Sequence, residues 1–154
     1  MTQDSKNKKN NKKINITQIE MENAFRSHKG AWEACKSNPN HTYKMVLFYA
    51  VECGLKSYYM RKNNLISSSA AADNEKSASA FLHNLNDLSA KLNIAVRIPD
   101  IKKNVDNSIH VKHLHTAWRY GKKLDEQEET VCIKRLTKIL NDIKNKLALP
   151  GGIS

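Results

Sequence analysis

Apolar residues in this chain recur mostly three and four positions apart, the spacing of helices that bury one face. From Thr17 onward, Ile19, Ala24, Phe25, Ala31, Trp32 and Cys35 fall at helical intervals, and Thr17 followed three residues later by Glu20 has the form of a capping box. Pro39 within Ser-Asn-Pro-Asn predicts the end of this first helix near Asn38. The next segment, HTYKMVLFYAVECGLKSYYMRKN, is apolar almost all round between Met45 and Val51, as expected of a central helix packed on several sides. Leu65 to Ser79 is small and polar and predicts a long connection, with a partial helical turn at Asn74 to Ala80. Phe81, Leu82, Leu85, Leu88 and Leu92 then predict a short third helix that breaks at Arg97-Ile-Pro-Asp. A fourth helix runs through IHVKHLHTAWRY, capped by Asp106 or Ser108 and stopped by Gly121, where glycine accepts a left-handed conformation. The last begins around Gln127 and presents Val131, Ile133, Leu136, Ile139, Leu140, Ile143 and Leu147 on one stripe, with Glu128 and Glu129 at its start and Lys144 and Lys146 near its end, as the helix dipole favours. The expectation is an all-α bundle of about five helices over 16–149, with no clear strand and no internal repeat.

Composition narrows the partners more than the fold. A chain of 154 residues supports a single core, and with only five Gly and three Pro it is neither collagenous nor turn-dense. Twenty-six Lys and Arg against fifteen Asp and Glu leave a formal charge of +11, which excludes an acidic solvating protein and favours a polyanionic partner. Part of that charge lies in residues 1–15, where Lys6, Lys8, Lys9, Lys12 and Lys13 stand among Asn and Gln with no apolar residue between Met1 and Ile14. Such a segment buries too little to offset its ordering entropy, so it is expected to be a disordered basic arm suited to nucleic-acid phosphates. Residues 150–154 form a short tail. Three Cys without a CxxC pair give no zinc ribbon and no closed disulfide framework, and no signal-like or membrane-spanning apolar run is visible. A cytoplasmic protein without membrane attachment or cofactor is expected.

Few residues carry candidate chemistry. Glu52 and Lys56 stand four apart on one face of the most apolar helix, so they either pair to fix that helix or leave Glu52 to orient a cationic or imidazole group. His110, His113 and His115 share a helix, but His115 falls on the opposite flank from the other two, and no HExxH or Cys cluster supplies further ligands, so no metal site is expected. His115 shares its face with Arg119, a couple suited to phosphodiester chemistry: imidazole for proton transfer and guanidinium for developing phosphate charge. His83 stands beside Asn84 and Asp87, which offer it hydrogen bonds. No GxxxxGK[ST], GxGxxG or GxSxG element is present, which removes the familiar nucleotide-loop and hydrolase readings.

Taken together, FYAVECGLKSYYM with Ala50, Glu52, Leu55 and Lys56, HNL at 83–85 and WRYG at 118–121 resemble the three motif segments of the HEPN family, helical domains of prokaryotes and higher eukaryotes. The resemblance covers about 17–148. It differs at Asn84, where the family often has Asp, and at Gly121, where many members have Pro. What it implies is an up-and-down helical bundle that forms homodimers, found in ribonuclease toxins, in anti-phage defence, and paired with minimal nucleotidyltransferases in toxin–antitoxin systems. The family's ribonuclease branch carries an Arg followed four to six residues later by a His. Here Arg26 precedes His28 too closely, Arg97 lies too far before His110, and neither Arg119 nor Arg135 has a His after it. The resemblance therefore leads to a domain that binds RNA or a nucleotidyltransferase-type partner, with a polar cleft of Glu52, Lys56, His83, Asp87 and Tyr120. Two alternatives stand beside it: a metal-independent endoribonuclease using the inverted couple His115 and Arg119, and a non-catalytic dimerisation module.

Overall fold

The computed structural model describes residues 14–72, 75–104 and 107–149. The five arm lysines, Lys6, Lys8, Lys9, Lys12 and Lys13, and the tail 150–154 lie outside the described residues.

The described residues form five α-helices: α1 (Gln18–Cys35), α2 (His41–Lys62), α3 (Leu85–Lys91), α4 (Val111–Arg119) and α5 (Glu126–Ala148). It is an all-α bundle built around α2, whose Leu47, Phe48, Ala50, Val51, Leu55, Tyr59 and Met60 are fully buried. Helix α1 runs antiparallel to α2, with Gln18 bonded to Ser57 and Glu22 to Arg61. Helix α5 runs parallel to it, with Lys44 paired to Glu129 at one end and Arg61 bonded to the Leu147 carbonyl at the other. Gly54 permits this closeness: a Cβ there would come within 2.7 Å of both the Phe25 ring and the Ile143 side chain. No helix among the described residues is long and apolar enough to cross a membrane.

Local signals place the helix ends well. Thr17 and Glu20 close the capping box reciprocally, at 3.2 and 2.8 Å, and Gly121 takes φ +62 after α4. Other expectations are corrected by packing. Helix α1 buries Met21, Phe25 and Trp32 while Ile19 faces outward, and on α5 Cys132 turns inward in place of the half-exposed Val131. Phe81 does not open α3. It closes a 3-10 turn (Ala78–Phe81), and α3 starts only after Asn84, whose side chain accepts from the Asp87 amide. The chain also contains strands: β1 (Ile101–Asn104) and β2 (Asn107–Ile109) pair antiparallel, Ile101 opposite Ile109. Ser108 therefore lies in β2, and His110 caps α4 instead, its Nδ1 accepting from the Lys112 amide. The hairpin escaped the periodicity because it is too short to show alternation, and it serves to drop Ile101 into the core ahead of α4.

Candidate functional site

One face of α2 carries Phe48, Tyr49, Glu52 and Lys56, spaced three and four apart, so successive turns line a single strip. Around it the fold brings the corner before α3, which carries His83, and helix α4, which carries His115 and Arg119. Glu52 is almost fully buried, and its Oε1 accepts from Lys56 Nζ at 2.8 Å and from His83 Nδ1 at 2.9 Å. Both roles foreseen for Glu52 are thus filled at once. A carboxylate oxygen accepts, so His83 Nδ1 is the donor of this bond and Nε2 takes no part in it.

His83 stacks on His115, with ring centroids 4.1 Å apart, and the His115 ring also rests against Phe48 at 5.1 Å and Tyr49 at 6.1 Å. His115 is only 7% exposed, and its Nδ1 is buried with no hydrogen-bond partner. Burial, reinforced by the neighbouring His83, Arg119 and His113 and opposed by Glu52, holds its pKa below the ordinary imidazole value. His115 is therefore a neutral imidazole at physiological pH.

Arg119 leaves the same helix one turn later. Its Nη2 donates to the Tyr49 hydroxyl at 2.7 Å, and the Tyr49 and Tyr120 phenols together hold the guanidinium in its charged form. Among the described residues no carboxylate pairs with it, so its remaining donors are available to an anion. Tyr120 itself is 76% exposed.

The structure thus brings together Glu52, Lys56, His83, His115 and Arg119, with Tyr120 at the edge. Asp87 does not join them: its carboxylate accepts from Asn84 at 2.8 Å, and with Glu75, Phe81 and Lys91 it borders a surface depression. The partners expected for His83 at Asn84 and Asp87 thus bond to each other. Trp118 is core, its Nε1 donating to Glu129 at 3.0 Å. His113 is exposed, and no group of three His, Cys, Asp or Glu side chains among the described residues is arranged to hold a metal. Cys53, next to Glu52, is pushed up to about 12 by burial and stays a thiol. Phe48 and Tyr49, which wall the site, were not among the expected site residues. Their signal was present in the sequence, since both lie one turn before Glu52 on its own face. No family model, curated protein or solved structure matches the chain.

The depressed His115 pKa has a consequence for stability. The unfolded chain takes up a proton at the ordinary imidazole value of 6.5, the folded chain only at lower pH, so in between the unfolded state binds more protons and stability rises with pH. His28, desolvated beside Tyr49, acts with the same sign. Their contribution is whole above the unfolded value and is lost as pH falls through the folded one. The melting temperature is expected to drop between about pH 7.5 and about pH 5.5, and His115→Phe, which keeps a ring but removes the titration, makes that drop shallower. An equally steep drop in the variant would contradict the assignment.

Proposed function

We propose that this chain is a HEPN-like, cytoplasmic RNA-directed domain of a bacterial defence or toxin–antitoxin system, and that its Glu52–His83–His115–Arg119 cluster acts on a phosphodiester without a metal. One observation carries the reading: a carboxylate-held imidazole lies against a second, neutral imidazole, beside a guanidinium that has no acid of its own among the described residues. Proton transfer and charge neutralisation at phosphorus need these groups. Neutral His115 takes the proton of a ribose 2′-hydroxyl. The 2′-oxygen bonds to phosphorus as the bond from phosphorus to the 5′-oxygen breaks. His83, entering the step with both ring nitrogens protonated, gives one proton to the departing 5′-oxygen, and Arg119 bonds the phosphate oxygens. The products are a 2′,3′-cyclic phosphate and a 5′-hydroxyl. The net positive charge of the chain supplies the attraction for RNA. The resemblance adds a homodimer and a minimal nucleotidyltransferase as further partners.

Incubating the purified chain with total RNA in EDTA tests this. Cleavage with 5′-hydroxyl ends is expected, and His115→Ala and Arg119→Ala should each slow it by about a hundredfold or more. Cleavage indifferent to both substitutions defeats the assignment. RNA shifted in a low-salt gel but never cut leaves a binding domain, the broader form of the reading.

A further inference from the structure

Ring centroids 4.1 Å apart mean that His83 and His115 are in contact, with no space for a phosphate between them. If the cluster acts on RNA as proposed above, one ring must move, and the backbone identifies which. Phe81-Leu82-His83-Asn84 is a four-residue turn closed by a 3.0 Å bond from the Asn84 amide to the Phe81 carbonyl. Leu82 sits at φ 51 and ψ −123, the first central position of a type II′ turn, which glycine normally fills. Among the described residues the other non-glycine positions at positive φ, Asn64 and Asn93, are asparagines, which tolerate the left-handed region. Leu82 has a Cβ that its backbone does not accommodate, and its side chain is 66% exposed, so burial does not offset the strain there.

Contacts on each of its residues hold the corner, the His83 ring also lying against His115 and, at 6.4 Å, Phe48. Phe81 is packed edge-on against Tyr59 in the core, Asn84 caps α3, and His83 bonds to Glu52. The Phe81 and Asn84 contacts are fixed by core and helix. The Glu52 bond is easily released, because Glu52 Oε1 keeps Lys56 Nζ at 2.8 Å when His83 leaves, and the His83 side chain, already 46% exposed, gives up its ring contacts for water. His115, by contrast, is clasped between Phe48, Tyr49 and His83 and cannot leave without opening the core.

We infer that Leu82 is a positioning residue whose strained backbone keeps the His83 corner ready to swing off Glu52, uncovering His115 to the phosphodiester. A strained closed state sits nearer in free energy to its relaxed alternative, so the open state is more populated than an unstrained turn would allow. Glycine at 82 removes the strain and holds the corner shut. Alanine keeps the Cβ and the strain.

The test needs no RNA. Diethyl pyrocarbonate acylates unprotonated imidazoles, and its rate at His115, followed by mass spectrometry with exposed His113 as internal reference, reports how often the corner opens. Leu82→Gly is expected to slow modification of His115 relative to His113 by about tenfold while raising the melting temperature by about 2–4 °C. Leu82→Ala should match the native chain in both, and His83→Ala should speed modification of His115. A Leu82→Gly chain whose His115 reacts at the native rate or faster, or which melts lower, overturns the inference. So does a native chain whose His115 never reacts. Slowed modification in a protein that leaves RNA untouched would instead confirm the moving corner and count against the proposed function.

Discussion

Replacing Glu52 by Gln is expected to destabilise the fold by about 3–5 kcal/mol, seen as a fall in melting temperature on the order of 10 °C. The reason lies in what is left behind. Lys56 is only 13% exposed at its side chain, and the carboxylate that neutralises it is buried beside it. The amide that replaces it can bond to Lys56 but cannot cancel its charge, and it no longer selects one His83 tautomer. The i,i+4 pair Arg26–Glu22 illustrates the opposite limit: the Arg26 side chain is 69% exposed and Glu22 keeps Arg61, so water takes the place of the lost guanidinium and the cost is about a few tenths of a kcal/mol. The double variant Glu52→Gln with Lys56→Met removes the stranded charge and should recover most of the loss, so the two substitutions are strongly non-additive. Unfolding in denaturant across this cycle measures it. A single-variant loss below about 0.5 kcal/mol would mean that solvent reaches Lys56 and that the strip on α2 is not sealed.

Asn86→Ala is expected to cost about 2–4 kcal/mol although the residue makes no hydrogen bond to the site. Its side chain bonds the backbone of Ile98 twice, Nδ2 to the carbonyl and Oδ1 from the amide, each at 2.8 Å and each buried. In effect α3 offers the loop after it the two hydrogen bonds that a neighbouring strand would. Alanine leaves both Ile98 groups without a partner in the interior, and the loop must either bear that penalty or lift, taking Ile98 and Ile101 out of the core. Because this loop leads through β1 and β2 into α4, loosening it also loosens the helix that carries His115 and Arg119. Amide hydrogen exchange should therefore quicken at Ile98 first and in α4 with it. Asn86→Asp is a sharper variant: it keeps the acceptor for the Ile98 amide but sets a carboxylate against the Ile98 carbonyl, so it should be worse than alanine at neutral pH and recover in acid. An Asn86→Ala protein as stable as the native one would show that water satisfies Ile98.

Elements and residues differ in how far they were legible along the chain. The five helices, the Thr17–Glu20 box, the glycine stop at Gly121 and the shared face of Glu52 and Lys56 could all be seen, because each depends on partners within one turn. The errors fall where a distant partner decides. Ile19 and Val131 match the helical period as well as Met21 and Cys132 do, and only the direction of α2 tells which of each pair is covered. Ser108 is a sound cap by type, but pairing across the hairpin moved the cap to His110.

Backbone hydrogen bonding and apolar period are local properties, so the amino-acid order alone determined that the described chain is a helical bundle and where its long helices lie, and it put Glu52, Lys56, His83, Asp87, His115, Arg119 and Tyr120 forward as candidates. It did not determine which of them meet. His83 and His115 are brought into contact by the packing of α3 and α4 on α2, the burial that keeps His115 neutral comes from Phe48 and Tyr49, and the strain at Leu82 exists only because Phe81 and Asn84 are anchored on either side of it. Each of these results from long-range closure of the chain, in which many contacts jointly hold a geometry that no short stretch of residues would adopt alone.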